Sequence, residues 1–182
     1  MPRLRPLEPE KFSPEQKKVH AAIVSGPRGR VVGPMEVWLH NPGLCEHAQA
    51  LGAYARFGSS LPPRLSELAI CTTGAFWKAN YEWFAHAPMA IKAGIDPAAI
   101  EAIRTGAKPA LVKSDEQAVY DFTNEMLSTR RVSNATFERA TKEIGETGVI
   151  DLVGIIGYYG LVSVTLNAFE IAVPDGKPPF GA

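Results

Sequence analysis

The segment from Val149 to Phe169, VIDLVGIIGYYGLVSVTLNAF, limits what this chain can fold into more than any other stretch. It approaches the ~20 apolar residues that span a bilayer. Yet Asp151 and Asn167 lie inside it, Tyr158 and Tyr159 sit in its middle rather than at its edges, and no Lys/Arg bias flanks it. A helix buried on nearly every face, in the core or between subunits, fits better than a membrane span. Gly154, Gly157 and Gly160 recur every three residues on one flank, each at a cost of about 1 kcal/mol relative to alanine. Close approach of another helix is the usual compensation. The segment is therefore expected at the centre of the subunit and in contacts between subunits, as part of a homo-oligomer.

A chain of 182 residues is long enough for one well-buried core and too short for two. Nineteen basic residues balance nineteen acidic ones, and no basic run exceeds the pairs Lys17-Lys18 and Arg130-Arg131, which speaks against a nucleic-acid partner. The N-terminus, MPRLRPLEPEKFSPE, carries charges and prolines where a secretory signal needs an apolar run of at least ~7 residues. Cys45 and Cys71 are far apart in apolar, helix-like contexts, where a free thiol behaves as a small buried hydrophobe. A reducing, cytoplasmic location is the expectation.

Residues 1–12 read as an extended arm and residues 13–182 as a single domain. Ser13, Pro14 and Gln16 form a helix start with a capping box, and the helix should run to about Ser25. Arg30 to His40 reads as a loop because Gly33-Pro34 forbids a long regular element, with Val37, Trp38 and Leu39 packed onto the core. Asn41-Pro42 starts a second helix, with Leu44, Ala48, Leu51 and Ala55 at helical spacing as far as Phe57. Asp96-Pro97 caps a short helix with Ile100 and Ile103 on one face, ending at Gly106. Ser114 to Gln117 reads as another capping box and echoes Ser13 to Gln16. The echo extends to the polar-capped helices from Asn41 and Ser133 and to the acid-Leu openings Glu67-Leu68 and Asp151-Leu152. This suggests an internal helical duplication, with coincidence as the alternative because capping boxes are common. Every element is a helix, so the fold class is all-α.

Chemistry concentrates between Arg64 and Gly94. On a helix, Glu82 and His86 stand at i and i+4, one turn apart on one face. Glu67 lies one helix earlier and can reach that face if Thr72-Thr73-Gly74 bends the chain back. Phe76, Trp77, Tyr81, Trp83 and Phe84 leave this region little polar surface. A carboxylate and an imidazole in such surroundings tend to have pKa values displaced toward neutrality, which suits general acid and base work. The plainer readings are a surface ion pair for Glu82 and His86, a first-turn helix acid for Glu67, and satisfied core groups for Tyr158, Tyr159 and Asn167. His20, His40 and His47 supply no convincing further ligands at metal-site spacing, so no metal is expected. Phosphate loops, Gly-x-Ser-x-Gly elbows and Cys-x-x-Cys are all lacking.

Glu67, the aromatic run, Tyr81-Glu82-Trp83, His86 and Gly94 resemble the carboxymuconolactone decarboxylase family, which includes the AhpD-type alkylhydroperoxidases. The match is best over residues 41–106. The resemblance implies an AhpD-like multi-helical domain assembled as trimers or hexamers, with no cofactor. In the peroxidase branch a Cys-x-x-Cys-x-x-x-His motif follows a Glu on the preceding helix. Here the Glu falls on Glu67 and the His on His86, while the two cysteine positions hold Ala79 and Glu82. With both thiols missing, the resemblance implies the other branch: a cofactor-independent decarboxylase-like enzyme that moves protons on a small carboxylated or lactone substrate. Glu67, Glu82 and His86 are then the catalytic candidates. Trp77, Tyr81, Trp83 and Lys78 are the substrate-binding candidates, with Lys78 or Arg64 to meet the substrate's charge. Peroxidase or antioxidant activity is one alternative. A non-catalytic helical oligomer holding a small apolar ligand is another.

Overall fold

A computed structural model of the chain describes residues 3–181; the first two residues of the expected arm and Ala182 lie outside them. Helix α1 (Pro14–Ser25) opens with the reciprocal box read from the sequence: Ser13 Oγ accepts from the Gln16 amide, and the Gln16 side chain accepts from the Ser13 amide. The stretch expected as a loop contains a five-residue helix, α2 (Pro34–Trp38), entered through Gly33 at φ 59°. Two residues so often read as breakers here act as a helix start, because proline at the first position needs no N–H partner. Val37, Trp38 and Leu39 are buried as expected.

Helix α3 (Pro42–Ala53) is capped by Asn41 and prolonged by a π-helical turn, Tyr54–Gly58. Its inner face is Cys45, Ala48, Gly52 and Ala55, whereas Leu44 and Leu51 lie about half exposed. Small residues on the inside let α3 approach the core closely. Helix α4 (Pro63–Phe76) runs unbroken through Thr72-Thr73-Gly74. The threonine hydroxyls donate to the Leu68 and Ala69 carbonyls at 2.8 Å and stay within the helix rather than loosening it. The chain reverses later, at Trp77–Ala79, where Lys78 takes φ 48°, and α5 (Asn80–Lys92) returns alongside. Glu67 consequently lies in the second turn of α4 and is not a first-turn acid.

Helix α6 (Pro97–Thr105) has the expected Asp96 cap and ends at Gly106, φ 76°. The second capping box does not form. Helix α7 (Ser114–Thr129) starts with Lys113 at the cap position, and the Ser114 hydroxyl donates instead to Glu143. The echo of the first helix start is thus one of sequence alone. Helix α8 (Asn134–Ala168) is capped by Ser133 and broken at Gly145, where φ 73° and ψ 169° leave the helical region before the apolar segment resumes it.

The helix buried on all sides is α4, enclosed from Leu65 to Gly74 by α5, α7 and α8. Helix α8 is long and apolar enough to cross a membrane, yet one face packs on the core through Leu152, Ile155, Tyr158, Tyr159, Val162 and Leu166. Its other face is open: Ile150 is 71% exposed and Val153 48%, and a Cβ at Gly154 or Gly157 would meet nothing within 4 Å. Gly154 and Gly157 therefore pack against no helix of their own chain, and only Gly160 has a neighbour, the Trp77 ring at the end of α4. A segment apolar on every side carries no periodicity to reveal which face turns inward.

Candidate active site

The antiparallel pair α4 and α5 brings Glu67, Glu82 and His86 together, as their spacing suggested. His86 Nδ1 donates to Glu67 Oε2 at 2.6 Å, and His86 Nε2 lies 3.0 Å from Glu82 Oε1. The second contact is not aligned as a hydrogen bond: Glu82 Oε1 is buried and has no hydrogen-bond partner, so charge attraction rather than a directed bond links it to the ring. All three residues are buried. Burial pulls the His86 pKa down, but the Glu82 charge and the bond to Glu67 outweigh it and push the value up to about 9. Displacement is thus away from neutrality, opposite to the sequence expectation for the imidazole, because two carboxylates flank a single ring. With a value near 9, the His86 ring carries a proton on both nitrogens at neutral pH.

A cavity of about 670 Å³ opens against Tyr81, Glu82 and His86. Glu67 stands behind His86, outside the cavity lining, and acts on the cavity only through the ring. Three of the four expected binding residues are elsewhere. Trp83 is buried with its ring edge on Phe180. Trp77 is partly exposed against Phe76, and its carbonyl accepts from Asn167. Lys78 is exposed at the turn. Helical geometry accounts for this: Tyr81, Glu82, Ala85, His86 and Met89 share one face of α5, Trp83 points to another, and Trp77 and Lys78 precede the helix. An aromatic count within a window does not say which rings share a face.

Positive charge comes from residues the local sequence did not suggest. Arg28 and Arg30 of the α1–α2 connection and Arg56 of the π-helical turn border the cavity. Arg64 instead ties α4 to α7 through Asp115 and Glu116. Tyr158 and Tyr159 of α8 also line the cavity. Tyr159 sets its ring edge-on to His86 at 5.2 Å between centroids. Burial raises the Tyr158 phenol to about 12 and Tyr159 well above its ordinary value, so both remain neutral donors. The only signal for these residues in the sequence was the placement of two tyrosines in the middle of an apolar helix.

Neither thiol reaches the site. Cys45 and Cys71 are buried and free, and neither borders the cavity. Burial raises the Cys45 thiol to about 11, and burial with the charges of Glu67 and Glu82 raises Cys71 well above its ordinary value. A neutral buried thiol is a poor nucleophile toward peroxide. Ala79, at the first of the two motif cysteine positions, is fully buried just before α5, and Glu82 at the second faces His86.

No protein-family model matches the sequence, and no curated protein matches it significantly. Solved structures do. An uncharacterized peroxidase-related protein from Ralstonia eutropha, described as an alkylhydroperoxidase AhpD core, superposes with a TM-score of 0.79 at 16% identity, over 98% of this chain and 94% of that one. The debrominase Bmp8 in complex with 2,3,4-tribromopyrrole gives 0.75 at 14% identity, over 97% and 95% of the chains. A peroxidase-related protein from Silicibacter gives 0.71 at 15% identity, over 92% and 93%. Likeness over whole chains at such low identity is a statement about architecture, and it agrees with the one read from Glu67 to Gly94: this chain has the AhpD-like all-α fold.

Proposed function

We propose that the protein is a cofactor-independent enzyme that transfers protons on a small carboxylated or lactone substrate, in the manner of carboxymuconolactone decarboxylases. One observation carries the reading. An imidazole, fixed from behind by Glu67 and flanked by Glu82, faces a cavity that no thiol borders. For a β-keto or lactone acid, the bond to the carboxyl carbon breaks, CO2 leaves, and the electron pair moves into the neighbouring carbonyl as an enolate. His86 Nε2–H delivers the proton that quenches the carbanion, and solvent returns a proton to the ring. The paired Glu67 keeps the ring oriented and raises its basicity between turnovers. Neutral Tyr159 beside the ring, and the arginines, are donors suited to the enolate oxygen.

The test is a panel of lactone acids and β-keto acids. Wild type is expected to turn over at least one, and His86→Ala and Glu82→Gln should each abolish that turnover. A double variant as active as wild type on the same substrate would refute the site. A tightly held ligand, with every member of the panel inert, would point to a binding protein instead.

A further inference from the structure

Arg28, Arg30 and Arg56 border the cavity, and among the described residues none has a carboxylate within ion-pair distance. Arg3, Arg104 and Arg139, by contrast, each hold one, and Arg64 holds two. Arg30 is exposed, but a guanidinium drawn partly out of water without a counter-charge is unfavourable, so half-buried Arg28 and Arg56 beside one cavity need a reason. The partners they do have are weak. Arg28 Nη2 donates to the Tyr158 hydroxyl at 3.3 Å, while its Nε is buried with no acceptor. Arg56 donates to the Met89 thioether at 3.0 Å, one turn along α5 from His86. Among the described residues Glu82 is the only carboxylate bordering the cavity, and with His86 charged it is already partly neutralised, so a surplus of positive charge remains.

The backbone is shaped to admit this arrangement. A Cβ on Gly52 would lie 2.0 Å from the Tyr158 hydroxyl and 2.4 Å from Arg28 Nη2. Only glycine at that point of α3 leaves the pair its place. From Tyr158 the rings step toward the reactive group, Tyr158 to Tyr159 and Tyr159 to His86, at 5.2 Å between centroids each time.

We propose that Arg28, Tyr158 and Arg56 form an oxyanion subsite that seats the acidic group, carboxylate or phosphate, of a ligand whose apolar body lies along Tyr159 toward His86. The proposal deepens the reading of this cavity as a substrate site but concerns binding alone. Calorimetric titration with benzoate, phenyl phosphate and neutral benzyl alcohol separates the two. Wild type is expected to bind at least one of the anions and not the alcohol, and the preferred anion identifies the acid. Arg28→Gln and Arg56→Gln should each weaken that anion about tenfold or more, as expected for loss of a charge-assisted hydrogen bond. Lys78→Gln should leave it unchanged. A failed turnover panel with intact, arginine-dependent binding would sink the proton-transfer reading and spare this one. If Arg28→Gln does not fold by circular dichroism, Arg56→Gln carries the test. No saturable binding of either anion to wild type, or equal affinity in the folded arginine variants, overturns the proposal.

Discussion

Replacing Glu67 by Gln keeps the size of the side chain but removes the charge behind His86. The bond it alters spans 2.6 Å between two buried groups. A hydrogen bond to a charged partner contributes about 1.5–3 kcal/mol net, and each pKa unit is worth about 1.36 kcal/mol, so the His86 pKa should fall by roughly 1–2 units. Following the imidazole nitrogens by NMR through a pH titration reads this directly: wild type should lose its proton near 9, the variant one to two units earlier. The same shift links to stability with a definite sign. Because the folded value lies above the ordinary 6.5, the stabilisation is fully present below pH 6.5 and is lost as pH rises through about 9. A displacement of that size corresponds to about 3 kcal/mol. Urea unfolding at pH 6 and pH 9.5 should therefore show a larger loss for wild type than for Glu67→Gln. Identical titration curves for the two proteins, or a wild-type ring that deprotonates below 6.5, would refute the account of the site.

Gly52→Ala should displace the Tyr158 hydroxyl and Arg28, lowering stability by roughly 1–3 kcal/mol, as overpacking does, and weakening anion binding in parallel; chemical denaturation and calorimetry check both. Arg64→Met should destabilise the protein by a few kcal/mol, as expected when buried Glu116 loses its nearer partner and keeps only Lys113 at 3.4 Å, but leave anion affinity intact, which separates a structural arginine from the cavity ones. Peroxide consumption with a dithiol reductant should be absent in wild type and unaffected by Cys45→Ser or Cys71→Ser. Gly157→Leu meets no neighbour within its own chain, so it should leave monomer stability unchanged or slightly improved. If the open apolar face of α8 joins copies of the chain, sedimentation equilibrium should show wild type as an oligomer and this variant dissociating; a wild-type mass equal to one chain sinks the oligomer.

What the sequence revealed and what it hid divide along a physical line. Glu82 and His86 were legible because helical spacing places i and i+4 together whatever the surroundings, and Glu67 because a helical hairpin has few ways to close. The capping serine at position 13 was legible for the same reason, since both halves of the box lie within one turn. Ser114 offers the same local pattern, yet its hydroxyl turns to Glu143, a competitor brought close only by the packing of α7 on α8. The cavity arginines are hidden for a related reason. Arg28, Arg56 and Tyr158 are far apart in sequence, and nothing within a turn of any of them marks it as charged toward a common space. Their only local trace is negative: Gly52, an apparently idle residue inside α3, is where a larger side chain would collide with two of the three. Local rules thus locate the group proposed to handle the proton. The groups suited to hold a substrate's charge are set by contacts between helices, so a substitution at Gly52 that touches neither His86 nor Glu82 is the sharpest probe of whether those two parts of the cavity serve one ligand.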